Sequence, residues 1–391
     1  MKSIESVRMT QQHIAAKEAF ERLTQILRTE VSIPVSDRGN AIYGEEDLHH
    51  SLILLSIQNR YAESGMRGLA IEASSTRVPS GSWVRDSVSR LSESDVSRKV
   101  ERALDSTLSE LRRYGIFNEP VVCAMDKHKI PRYDEGMESF LTRGMQKDGT
   151  MKFETYATLQ CVEEGRRAQI ACAHVKILDD NSDVIAGLLE QAKLQQVDVS
   201  LLLLDREFFS ASVIARLNKL GQRFLMPCKL TRGIKEAVKE YAQGMRRRVS
   251  GQALVPSERR ETGPFNLVIL PRKGFENESD PLKRYVAFAT NIPRRFVMWN
   301  VRRLPDDYRR RWGIETGYSG IEGFRARTTS KNHALRLLYL YYALILYNAW
   351  LLANLIIARR FGRILSRPII QMQTLRATIH TIVVASFVGG G

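Results

Sequence analysis

From Leu337 to Ala358 the chain reads LLYLYYALILYNAWLLANLIIA, an uncharged run with Arg336 before it and Arg359 and Arg360 after it. A helix of that length spans roughly 33 Å, enough to cross a bilayer or to run through the middle of a large domain. Two asparagines, Asn348 and Asn354, and four tyrosines at 339, 341, 342 and 347 carry polar groups that hydrocarbon would leave unpaired. No second segment of the kind accompanies the run. A helix apolar on every side suits the centre of a domain. The run is therefore expected to be a core helix buried against a sheet, with its asparagines hydrogen-bonded inside the protein. A membrane partner is not expected.

Just upstream, Pro305 to Arg327, PDDYRRRWGIETGYSGIEGFRAR, has the pattern of one helix. At about 100° per residue, Tyr308, Arg311, Glu315 and Glu322 share one face, and Ile314, Tyr318, Ile321 and Phe324 share another. Pro305 suits the first helical position, and Asp306 and Asp307 suit the positive end of the helix dipole. Glycines at 313, 317, 320 and 323 each cost about 1 kcal/mol in a helix interior, so something must approach the helix closely or it must loosen.

The 391 residues exceed one ordinary domain and allow a sizeable core. Fifty-nine Lys and Arg stand against 43 Asp and Glu, a net charge of +16 that points to a polyanionic partner or a membrane surface. Arginine clusters at 246 to 248, 259 and 260, 294 and 295, 302 and 303, and 309 to 311 supply much of it. The guanidinium fork matches phosphate oxygens, although any one cluster could equally be solvated surface. Cys123, Cys161, Cys172 and Cys228 form neither a disulfide framework nor a zinc pattern, which fits a reducing compartment. The opening MKSIESVRMTQQH lacks the apolar stretch of a signal peptide, so a cytoplasmic location is expected.

Along the chain, residues 1–117 read as a helical region and are expected to bind DNA. Within it, GMRGLAIEASST, VPSG and SWVRDSVSRL resemble two short helices about a tight turn, consistent with a helix-turn-helix that exposes Ser82, Arg85, Ser89 and Arg90 on its second helix, or with a plain helical bundle. From 118 to 230 strands alternate with helices: VVCAM, FETYATLQCVE and RRAQIACAHVKI come first, then VSLLLL and RFLMPCK with a helix before and after VSLLLL. This order calls for an α/β fold, a mixed sheet with flanking helices. Residues 231–304, with FNLVIL and RYVAFAT, read as an inserted β-rich subdomain, and 305–391 return to helix.

Asp126 follows the apolar run VVCAM, Asp205 follows VSLLLL, and Glu315 lies on the arginine-rich helix. Strand ends on one sheet edge can gather such side chains, and three carboxylates suit hard divalent cations. Two such ions about 4 Å apart can activate a nucleophile and steady a leaving oxygen in phosphodiester cleavage. Each residue also has a plain role, the aspartates as turn or capping groups and Glu315 as a partner of Arg311.

Tyr308, Arg311 and Glu315 form Y-x2-R-x3-E, which resembles the Y-R-E-K signature of prokaryotic insertion-sequence DDE transposases. AMDKHKIP resembles the block around that family's first aspartate and LLLLDREFF the block around its second, and the three occur in order. Asp205 follows Asp126 by 79 residues and Glu315 follows Asp205 by 110, leaving room for a β insertion. The resemblance covers about residues 114–350. It implies a ribonuclease-H-like catalytic domain with Asp126, Asp205 and Glu315 as catalytic metal ligands for two Mg²⁺ (or Mn²⁺) ions. Tyr308, Arg311 and, next to the second aspartate, Arg206 would contact DNA. The implied partners are double-stranded DNA, as transposon ends and as target, and further copies of the chain in an oligomer on DNA near the nucleoid. Where the signature has lysine, position 322 is Glu.

Overall fold

The computed structural model describes residues 4–35, 42–133, 140–254 and 263–388. Arg259 and Arg260 lie outside them, as do the three terminal glycines. Helices α1 (Ile4–Glu30), α2 (Glu45–Gln58), α3 (Ala62–Glu72), α4 (Gly81–Ser89) and α5 (Glu93–Arg112) come first. Next are β1 (Val121–Arg132), β2 (Thr142–Lys147), β3 (Thr150–Cys161), β4 (Gln169–Val175), α6 (Asn181–Leu194), β5 (Val199–Leu204), α7 (Ala211–Lys219) and β6 (Phe224–Pro227). The chain continues through α8 (Arg232–Ala242), β7 (Val249–Leu254), β8 (Gly263–Pro271), α9 (Pro281–Arg284), β9 (Tyr285–Thr290) and α10 (Arg294–Asn300). It closes with α11 (Leu304–Arg309), α12 (Trp312–Phe324), α13 (His333–Arg360) and α14 (Met372–Val388).

Two compact units emerge, and their boundaries differ from the expected partition. One comprises Met1–Asn118, Glu164–Ile170 and Thr316–Gly391; the other comprises Glu119–Glu163 and Ala171–Glu315. The C-terminal helices thus group with the N-terminal ones, because α13 packs on α5, α1, α2 and α4. Within its unit the uncharged run meets these four helices, and its Asn348 reaches the main chain of Gln169, the first residue of β4.

The asparagines of α13 are satisfied inside this helical unit. Asn348 accepts from the main-chain N of Gln169 and donates to its O, both at 2.9 Å. Asn354 accepts from the main-chain N of Ile369 and Ile370 at 2.6 and 2.8 Å. The Tyr342 hydroxyl meets His49 Nδ1 at 2.6 Å, and all four tyrosines are buried. The run is a core helix rather than a membrane span.

In the same unit, α3 and α4 touch so closely that a Cβ on Gly81 would lie 2.6 Å from Glu63 Cα. Glycine is what lets the two backbones meet. Ser82, Arg85, Ser89 and Arg90 are exposed, with Arg85 paired to Glu63 at 3.0 Å.

The second unit is built on a mixed α/β sheet with flanking helices, the expected fold class. Nine strands run β2-β3-β1-β5-β6-β9-β8-β7, with β4 also paired to β3. The pairs β1-β5 and β5-β6 are parallel, and β1-β3, β6-β9, β9-β8 and β8-β7 antiparallel. Strand VSLLLL is buried toward its C-terminal end, as parallel strands covered on both faces are. Residues 231–304 are β-rich and precede Glu315 as expected, but they are not a separate subdomain. β9 pairs with β6 and carries β8 and β7 onto the same sheet.

Two further expectations change. β1 does not end at Asp126 but runs on to Arg132, held by β3 through pairs such as Asp126 with Thr158. The segment 305–327 is two helices, parted at Arg310 and Arg311. There the main chain tightens to bonds three residues apart, Arg311 N to Tyr308 O at 3.0 Å and Ile314 N to Arg311 O at 2.9 Å. The glycines answer to packing: a Cβ on Gly313 would lie 3.1 Å from Val162 Cβ, and one on Gly320 would lie 2.7 Å from Met372 Cε.

Candidate active site

The register of the two parallel strands places the first two carboxylates. Met125 of β1 pairs with Leu204 of β5, so Asp126 and Asp205 are the next residues on neighbouring strands that run the same way. There the strands part company. β1 continues along β3, whereas β5 ends and Asp205 caps a short 3-10 helix, Arg206–Phe208. Asp205 Oδ1 accepts from Arg206 N at 2.6 Å, and Asp126 Oδ1 accepts from Lys127 N at 2.8 Å. The capping role suggested by sequence is therefore present for Asp205, whereas Asp126 lies within β1 and is neither a turn nor a capping residue.

Arg311 joins the third carboxylate to the first. Its Nη1 donates to Asp126 Oδ2 at 3.0 Å and its Nη2 to Glu315 Oε1 at 2.8 Å. The tight turn between α11 and α12 sets Arg311 inward, largely buried, while Glu315 one helical turn on remains 56% exposed. Tyr308 lies against this group, with the Arg311 guanidinium carbon 5.9 Å from its ring centre and Phe288 edge-on at 5.4 Å.

The charges at this end of the sheet act on one another. Burial pushes the Asp126 carboxyl up from its ordinary range; Lys127 N–H and Arg311 pull it down, and Asp205 and Glu207 push it up again. Burial alone would weaken the Arg311 charge, but Tyr308, Asp126, Asp205 and Glu315 more than offset it, and its pKa rises. Burial, followed by the nearby acids against Arg311, pushes the Tyr308 phenol up to about 12.

Asp126, Asp205, Tyr308, Arg311 and Glu315 are therefore brought into one electrostatic cluster. Their three carboxylates offer the hard oxygen donors that a divalent cation takes, and such a cation would favour the charged form of Asp126 that burial, and then the neighbouring acids, disfavour. Among the described residues these oxygens do not all gather within 4.8 Å, because the guanidinium of Arg311 stands between Asp126 and Glu315.

Arg206, also singled out from sequence, is exposed beside the cluster. Its charge reaches Cys228, whose thiol burial pushes up and Arg206 draws down. Sequence reasoning passed over Glu207 and Lys127. Glu207 Oε1 lies 3.4 Å from Lys127 Nζ, and its other oxygen lies 3.8 Å from Lys129 Nζ. The alternation of lysines in DKHK was the available signal, since side chains two apart on a strand share a face.

Glu322 lies two turns beyond Glu315 on α12. It pairs side-on with Arg325 at 2.8 and 3.0 Å. Asn59 donates to the main-chain O of both residues.

A family model described as the transposase DDE domain matches residues 98–349. The chain belongs to the DDE transposase family. This transposase is thus an enzyme of metal-dependent phosphodiester chemistry, and the match covers all five residues of the cluster. No curated protein sequence matches the chain. Among solved structures, the cryo-EM structure of the piggyBac transposase synaptic complex with hairpin DNA is similar. Its TM-score is 0.55 at 12% identity, over 96% of this chain and 80% of that one. At that identity the likeness is one of fold.

Proposed function

We propose that this transposase binds the inverted-repeat ends of its own element as a homo-oligomer, cuts a strand there and joins the freed 3′-hydroxyl to target DNA. The observation that carries the reading is the pairing of Met125 with Leu204, which sets Asp126 beside Asp205, together with the Arg311 bridge to Glu315. Asp126, Asp205 and Glu315 would hold two Mg²⁺ or Mn²⁺ ions, whose chemistry is to activate the attacking oxygen and stabilise the leaving one.

Arg311 has two N–H groups facing carboxylates, the fork that also fits a phosphate. With DNA present it would hold the phosphate next to the cleaved bond. Tyr308, kept protonated by its surroundings, would donate a hydrogen bond to the same backbone. Arg206, exposed at the start of the short helix, would meet a neighbouring phosphate. A net charge of +16 supports attraction to DNA, and the protein would act in the cytoplasm on the nucleoid.

A strand-transfer assay tests the proposal. The purified protein, duplexes bearing the DNA that flanks its gene and a target plasmid are incubated with Mg²⁺. Covalent joining of end to target is expected. Cutting without joining would make the chain a nuclease and overturn strand transfer as its function.

A further inference from the structure

A cavity of about 520 Å³ opens in the helical unit where α5 and α13 end. Five arginines line it: Arg112 and Arg113 from α5 and its cap, Arg359 from α13, and Arg166 and Arg363 from connecting segments. Among the described residues lining it there is no Asp or Glu. Tyr114 forms part of the wall, and the guanidinium carbon of Arg359 stands 5.5 Å from its ring centre.

The ordinary explanation for basic residues at such a place is that they complement the negative ends of helix dipoles. It covers Arg112, Arg113 and Arg359, which sit in or beside last turns. Arg113 also has a carboxylate partner, Glu110 at 2.7 Å, shared with Arg22. It does not cover Arg166 or Arg363. Arg166 is brought to the rim by Gly165, whose φ of +74° and contact with the carbonyl of Leu365 exclude a side chain. Arg363 follows Gly362, at φ +60°, in the turn that ends α13, and its side chain is exposed. Two separate backbone devices thus deliver extra cations to a cavity that already holds three.

We infer that this cavity is a phosphate-binding site for the backbone of double-stranded DNA, made of residues that take no part in the carboxylate cluster. Planar guanidinium groups converging from several directions match the oxygens of successive phosphates. Such contacts carry affinity and position rather than sequence choice. The inference rests on the reading of the chain as a DNA-binding transposase.

Fluorescence anisotropy of the full-length protein with labelled duplexes, over a series of KCl concentrations, tests it. The variants are Arg363→Gln and the double change Arg359→Gln with Arg363→Gln, each checked for folding by circular dichroism. For the double variant, affinity is expected to fall roughly tenfold on any duplex sequence, and the salt slope to shrink by about 1.8, at about 0.9 per phosphate. Should the double variant misfold, Arg363→Gln alone carries the test with a slope loss of about 0.9. Folded variants with wild-type affinity and slope overturn the site while leaving the transposase reading intact. A wild-type protein that binds no duplex overturns both.

Discussion

Arg311 Nη1 donates to Asp126 Oδ2 at 3.0 Å across a separation of 185 residues, and its other terminal nitrogen holds Glu315. One internal cation thus stands among acids that would otherwise repel each other. Arg311→Ala should destabilise the fold by about 3 kcal/mol, since it leaves a largely buried carboxylate without its cation. Mg²⁺ should raise the melting temperature of this variant more than that of the wild type. Equal Mg²⁺ responses in paired thermal melts would show that Arg311 and the ion do not share the same carboxylates.

Burial places the folded-state pKa of Asp126 above its unfolded value. For an acid shifted upward, the stabilising contribution is complete below the unfolded pKa and is lost as pH rises through the folded one. Asp126→Asn should therefore raise stability at pH 7 to 8, with the gain vanishing toward acidic pH. Urea melts across that range read it, and a gain that grew on acidification would mean the shift has the opposite sign.

In the helical unit, Asn348→Leu should cost about 3 kcal/mol. It removes both partners of the Gln169 main chain and leaves a buried N–H and C=O unmade. Chemical denaturation gives the number directly. A loss under about 0.5 kcal/mol would mean that other groups satisfy Gln169 once the amide is gone.

Glu322→Lys, which would restore the lysine of the resembled signature, should lower stability by about 0.5 to 1 kcal/mol by setting two cations side by side at Arg325. It should not tighten DNA binding. Titration at several salt concentrations checks this, and a steeper salt slope would place a phosphate at position 322 after all.

Much of this was legible in the sequence, for identifiable reasons. VSLLLL and its terminal aspartate stand out because a strand buried on both faces is apolar without alternation. Asn348 and Asn354 marked α13 as interior to protein, since each needs partners that lipid cannot supply. The break at Arg310 and Arg311 was not legible: the acids, arginines and glycines around it keep helical spacing through the turn. The continuation of β1 past Asp126 was hidden for a related reason. KHKIPR is polar because only β3 pairs with it there, and the pattern of a core strand stops where β5 stops. The joining of β9 to β6 is a long-range pairing, which no local pattern announces.

The central claim is that Asp126, Asp205 and Glu315 act together in DNA cleavage, and the most direct measurement is the Mg²⁺-dependent cleavage rate of each alanine variant on end DNA. Each rate should fall by about 10³-fold or more, with end affinity within about twofold of wild type, because phosphate anchoring and metal ligation use different side chains. A variant at any of the three positions that binds the ends and still cuts at a near-normal rate would contradict the claim.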